Sequence, residues 1–164
     1  MEILVPGLML VALMVWASTK IKRNTAKAYE EEKVEGAGFS LIKPDGFLHK
    51  LNASDAVDFE AYSKEFGVDN ASNHRRAVLT LQSTTDDLAS VRKAIRATAE
   101  SLAEDPESGV LEVERTEEGF PVNAFYKFET ENGKLYELQA VVLREHKDDY
   151  LRRIQRLFES FQVN

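Results

Sequence analysis

F-P-V-N-A-F-Y-K-F-E-T-E-N-G-K-L-Y-E-L-Q-A-V-V-L, residues Phe120 to Leu143, decides the fold. Two alternating runs flank the dipeptide Asn132-Gly133. A two-residue type I′ turn needs positive φ at both central positions, and Asn-Gly supplies it at low steric cost. The spacing therefore predicts a long hairpin, with strands over Phe120 to Thr130 and Lys134 to Leu143. On the first strand Val122, Ala124, Tyr126 and Phe128 point one way, and Asn123, Lys127 and Glu129 the other. On the second, Leu138, Ala140 and Val142 face the core, with Glu137 and Gln139 outward.

Working outward, Phe39 to Lys43 reads as a strand stopped by the turn Pro44-Asp45-Gly46, with a short strand over Phe47 to Leu51. Residues 54–66 stay open between two readings. Val57, Phe59 and Ala61 alternate like a strand. Phe59, Tyr62 and Phe66 fit a helix capped by Ser54 and closed by Gly67. Arg76 to Ser83 and Val110 to Arg115 read as strands. Thr84-Thr85-Asp86-Asp87 caps a helix predicted over Asp86 to Ala103, with Leu88, Val91, Ile95 and Leu102 on one face and Asp105-Pro106 closing it. A last helix starts at His146 or Asp148. It buries Tyr150, Leu151, Ile154, Leu157, Phe158 and Phe161 and carries Arg152, Arg153 and Arg156 on its other side. Two one-faced helices and several antiparallel strands combine most simply as an α+β sandwich.

The chain has 164 residues, and Ile3 to Ala17 is an uncharged apolar run followed by Lys20, Lys22 and Arg23. Residues 3–21 as a helix span about 28 Å at the usual rise, near bilayer thickness. The expectation is a single transmembrane anchor over 1–23, a juxtamembrane stalk over 24–37 and a globular domain over 38–164. Membrane lipid is then a partner through residues 3–21. The basic flank places the domain on the cytoplasmic side. A cleaved signal peptide fits less well, because Glu2 stands where a basic region belongs and no small-x-small site follows.

Beyond Arg23 the chain carries 18 basic and 27 acidic residues, a net charge of −9. That repels phosphate backbones, so nucleic acid is not an expected partner. There is no cysteine. His49, His74 and His146 are isolated, which argues against a metal site. Phosphate-loop, dinucleotide, nucleophile-elbow and zincin motifs are missing. The pairs Asp86-Asp87 and Asp148-Asp149 sit at helix starts, where capping explains them. Glu104, Glu117 and Glu118 read as solvated loop. Asn52 and Asn70 open formal glycosylation sequons. His74-Arg75-Arg76 is a dense basic spot, read first as a loop entering a strand. No catalytic, cofactor or metal residue is assigned, and no cofactor is expected.

Three stretches resemble the PsbP-like α/β sandwich superfamily. They are G-F-S-L-I-K-P-D-G-F (Gly38 to Phe47), the helix Asp86 to Ala103 after a strand, and Y-L-R-R-I-Q-R-L-F-E-S-F (Tyr150 to Phe161) after a hairpin. The resemblance covers residues 36 to 163; the stretches 52–75 and 104–118 depart from it. It implies an antiparallel sheet covered by helices and a non-catalytic role in docking on larger assemblies. The leading expectation is a membrane-tethered, non-enzymatic accessory or assembly subunit of a larger membrane protein complex. Two alternatives stand beside it. One is a ligand-binding or enzymatic domain with a pocket between sheet and helices, for which Tyr62, Tyr126 and Tyr136 are the candidate lining. The other is an exported envelope protein behind an atypical signal.

Overall fold

The computed structural model describes residues 4–51 and 57–164. In chain order the elements are α1 (Leu4–Ala28), β1 (Glu32–Gly36), β2 (Phe39–Lys43), β3 (Phe47–His49), β4 (Phe59–Ser63), β5 (Ala77–Thr84), α2 (Leu88–Ala97), β6 (Ser101–Glu104), β7 (Leu111–Glu117), β8 (Phe120–Glu131), β9 (Lys134–Leu143), α3 (Lys147–Ser160) and β10 (Gln162–Val163). Short 3-10 turns lie at Asp69–Ala71 and Arg144–His146.

The Phe120–Leu143 hairpin is the spine. Glu131 pairs with Lys134 across a two-residue loop, and the register runs unbroken to Val122 opposite Leu143. Asn132 and Gly133 take φ of 51° and 76°, the left-handed pair that a type I′ turn demands. Around this hairpin an antiparallel sheet forms in the order β3-β4-β5-β9-β8-β7-β6, and a second, small sheet in the order β1-β2-β10.

Helices lie on both faces of the large sheet. On one face α3 and the small sheet pack together. Tyr150, Ile154, Leu157, Phe158 and Phe161 meet Phe39 and Leu41 of the small sheet and Phe47, Phe59, Leu79, Leu138 and Ala140 of the large one. Ile154 and Leu157 are almost wholly buried, each worth about 1.5–3 kcal/mol of transfer free energy. On the other face α2 sets Val91 and Ile95 over Leu111, Val113, Ala124 and Tyr126. The Asp87 carboxylate caps that helix, accepting from the Ser90 N–H at 3.0 Å.

Residues 54–66 resolve in favour of the strand where they are described. Phe59–Ser63 alternates buried and half-buried, and Phe59 pairs with Leu81. The helix predicted to Ala103 stops at Ala97, where the Thr98 hydroxyl donates to the Ile95 carbonyl. Ser101–Glu104 instead pairs with Leu111–Glu114 as β6, so Leu102 leaves the helical stripe and is exposed. Strand pairing outweighs local helical periodicity there. The hairpin faces also need correcting. Asn123 and Glu137, expected outward, are buried, because a sheet covered on both sides has no solvent face at its centre. Asn123 lies under α3, whereas Glu137 falls on the α2 side, where burial pushes its carboxyl above the ordinary range, against the pull of Gln82 and Arg115.

The transmembrane anchor does not hold. Among the described residues no helix is long and apolar enough to cross a membrane. The apolar run, described from Leu4 to Ala17, passes within the same helix into Ser18, Thr19, Lys20 and Lys22. The single-pass membrane placement, and the cytoplasmic side deduced from it, are set aside on that finding. The carboxyl end of α1 is fixed to the domain instead. The ammonium of Lys43, fully buried, donates to the carbonyls of Glu30 (2.6 Å), Phe47 (2.8 Å) and Ala28 (3.5 Å). A cation there opposes the negative end of the helix dipole. Desolvation holds its pKa below the usual lysine value, and Glu32 and Asp45 pull it back up. The Gly46 N–H adds a bond to the Tyr29 carbonyl at 2.7 Å, and Arg156 pairs with Glu31 at 2.7 Å.

Candidate binding cleft

Because α3 covers only part of its face, a cleft of about 690 Å³ opens beside it, over β7 and β8 and under the loop that joins β6 to β7. Its walls are apolar: Phe125 from β8, Val110 from the loop, and Leu151, Ile154 and Phe158 from α3. Its floor is polar and internally paired. Lys147 Nζ donates to Glu112 Oε1 at 2.6 Å, and Asn123 Nδ2, outside the cleft lining, donates to the same oxygen at 2.8 Å. Lys127 Nζ donates to the Phe158 carbonyl at 2.9 Å. Asn123 is fully buried, and its Oδ1 has no partner. The rim is acidic: Glu104, Asp105, Glu107 and Glu159. The Ser108 hydroxyl and the Glu107 N–H hold the Asp105 carboxyl below the usual range. Glu104 is turned to Arg92 of α2 at 3.0 Å.

The two lysines of this cleft, Lys127 and Lys147, are each hydrogen-bonded within it. No histidine is among its lining residues, and the Ser108 hydroxyl is turned to the Asp105 carboxylate. The arrangement suits holding a ligand of mixed apolar and cationic character. Among the described residues no cluster of histidine, aspartate or glutamate is placed to hold a metal ion.

The tyrosines expected in a pocket lie elsewhere. Tyr136 is buried in the main core. Tyr126 is on the α2 face, where its hydroxyl accepts from Arg115 and from Gln139. Tyr62 stacks under the Arg75 guanidinium, 4.6 Å from the ring centroid. The basic spot at 74–76 is spent on structure. Arg75 donates to the carbonyls of Ser63 and Lys64, both at 3.0 Å, and covers Phe66. Arg76 donates to the Phe66 carbonyl at 2.6 Å, and His74 lies against Phe120 and Glu118. His49 packs on Phe59, and burial lowers its pKa. His146 sits between Glu145 and Asp149. Asn70 falls in the 3-10 turn and is exposed, while Asn52 lies outside the described residues.

Sequence reasoning missed the cleft residues Glu112, Phe125, Lys127 and Lys147. One signal was present: Ala124-Phe125-Tyr126 interrupts the polar alternation of β8, and a strand that is apolar on both sides needs cover on both.

No family model and no curated protein matches the chain. Solved structures do. LpqN, involved in cell envelope biogenesis of Mycobacterium tuberculosis, superposes with a TM-score of 0.55 at 14% identity, over 82% of this chain and 91% of that one. The cyanobacterial PsbP (CyanoP) of Synechocystis superposes less closely, with a TM-score of 0.46 at 13% identity, over 83% of this chain and 94% of that one. The likeness to LpqN shows the fold alone, and at that level the resemblance to the PsbP-like α/β sandwich holds.

Proposed function

We propose that this protein is a non-enzymatic binding domain that serves as an accessory or assembly subunit, docking on a larger protein complex through the cleft beside α3. The observation that carries the reading is the cleft itself. Its apolar walls and acidic rim leave contact surface exposed, while the lysines of its floor are already held, Lys127 by the Phe158 carbonyl and Lys147 by Glu112. A fold shared with an envelope-biogenesis protein is compatible with such a role. The cleft volume also lies in the range of small-molecule sites, which is what favours a ligand carrier as the second reading.

A photo-crosslinker placed at Gln155, an exposed lining residue, tests the proposal against the same label at exposed Gln82 on another part of the surface. The expected result is saturable crosslinking of Gln155 to one defined polypeptide, competed by unlabelled chain and absent at Gln82. Equal, non-saturable labelling at both positions overturns it. Retention of a small molecule in the cleft of the purified protein favours the carrier.

A further inference from the structure

The large sheet ends at β6, and among the described residues that strand has one neighbour, β7. All four of its residues are exposed. The Asp105 N–H donates to the Val110 carbonyl at 2.9 Å. With Ala103 opposite Glu112 and Leu102 opposite Val113, antiparallel alternation turns the N–H and C=O of Leu102 and Glu104 away from β7. Edge strands are ordinarily blunted by lysine, proline or a bulge. Ser101-Leu102-Ala103-Glu104 contains neither lysine nor proline, and the one charge it carries is drawn to Arg92 over α2. The same strand borders the cleft through Ala103 and Glu104.

Resting on the binding reading above, we propose that β6 accepts an extended, cationic segment of a partner protein as an eighth strand of the sheet. Strand addition draws affinity from main-chain hydrogen bonds and specificity from alternate side chains. On the α3 side, a strand along β6 directs every second side chain to the cleft mouth. There Asp105, Glu107 and Glu159 ring the apolar surface of Val110, Leu151 and Phe158. Alternate side chains of a strand share one face. A segment that alternates lysine or arginine with aliphatic residues can therefore set its cations against that acidic ring and its aliphatic residues beside exposed Leu102 on the α2 side; an acidic segment meets only repulsion.

Binding of three labelled octapeptides to the full chain tests this: alternating lysine–valine, alternating glutamate–valine, and the lysine–valine peptide N-methylated at every second residue. The lysine–valine peptide is expected to bind at least about tenfold tighter than either of the others. Leu102→Pro removes an outward N–H and leaves the bonds to β7, so it should lose about tenfold in affinity with an unchanged circular dichroism spectrum. Glu107→Lys with Glu159→Lys, both outside β6, should lose a similar factor. Equal binding of the three peptides, or of Leu102→Pro and the parent, overturns the proposal. So does β6-to-β6 dimerisation without peptide binding. Amide shifts at Leu151 and Gln155 without exchange protection at Leu102 and Glu104 remove the added strand and leave the cleft reading standing; with no shift at the cleft residues, that reading falls too.

Discussion

Tyr150 joins α3 to the start of the loop after β4. Its hydroxyl donates to Glu65 Oε2 at 2.8 Å, and its ring meets Phe47 edge-on. Burial first, and then the bond to Glu65, push its pKa up to about 12. An unfolded tyrosine titrates near 10. The folded phenol therefore keeps its proton where the unfolded one loses it. The resulting stability is fully present below about pH 10 and is lost as pH rises toward 12. Urea midpoints should fall across that window, and Tyr150→Phe should flatten part of the fall while costing about 1 kcal/mol at pH 7. A parallel pH dependence in the variant and the parent sinks the assignment. Individual residues of this kind are the least legible from sequence. Tyr150 was visible as core, but its acceptor is 85 positions away. The same holds for the floor of the cleft, where Glu112 meets Lys147 across 35 positions.

At the level of elements, local chemistry was the better guide. Asn132-Gly133 declared its hairpin because few residue pairs tolerate two consecutive positive φ angles, and the register followed from it. A Cβ added at Gly133 meets nothing within 4 Å, so the penalty for Gly133→Ala is purely conformational, about 1 kcal/mol. Chemical denaturation should show that loss with an unchanged m-value; no loss means that the turn is not type I′. The same local reasoning fixed the start of α2, where Asp87 caps, and misjudged its end. Leu102 satisfied helical spacing, yet the pairing of Ser101–Glu104 with β7 decided the matter. Nothing local announces a strand partner that lies beyond a loop.

For the whole molecule, the α+β sandwich was legible because two amphipathic helices and a run of antiparallel strands have few ways to bury their faces. The small sheet was not, since β10 is two residues long and pairs with β2 from the far end of the chain. Nor was the setting of the first helix. Its composition suggested lipid, whereas its carboxyl end is gripped by the ammonium of Lys43. That grip has a practical corollary. An amine inside a ring of carbonyls is shielded from acylating reagents for as long as the latch stays shut. Brief treatment of the native protein with a succinimidyl ester should modify the exposed lysines at 50, 64 and 134 at least about tenfold faster than Lys43. Labelling at matched rates contradicts a closed latch. Where the lag is seen, Lys43 becomes a built-in clock for how often the first helix lets go of its domain.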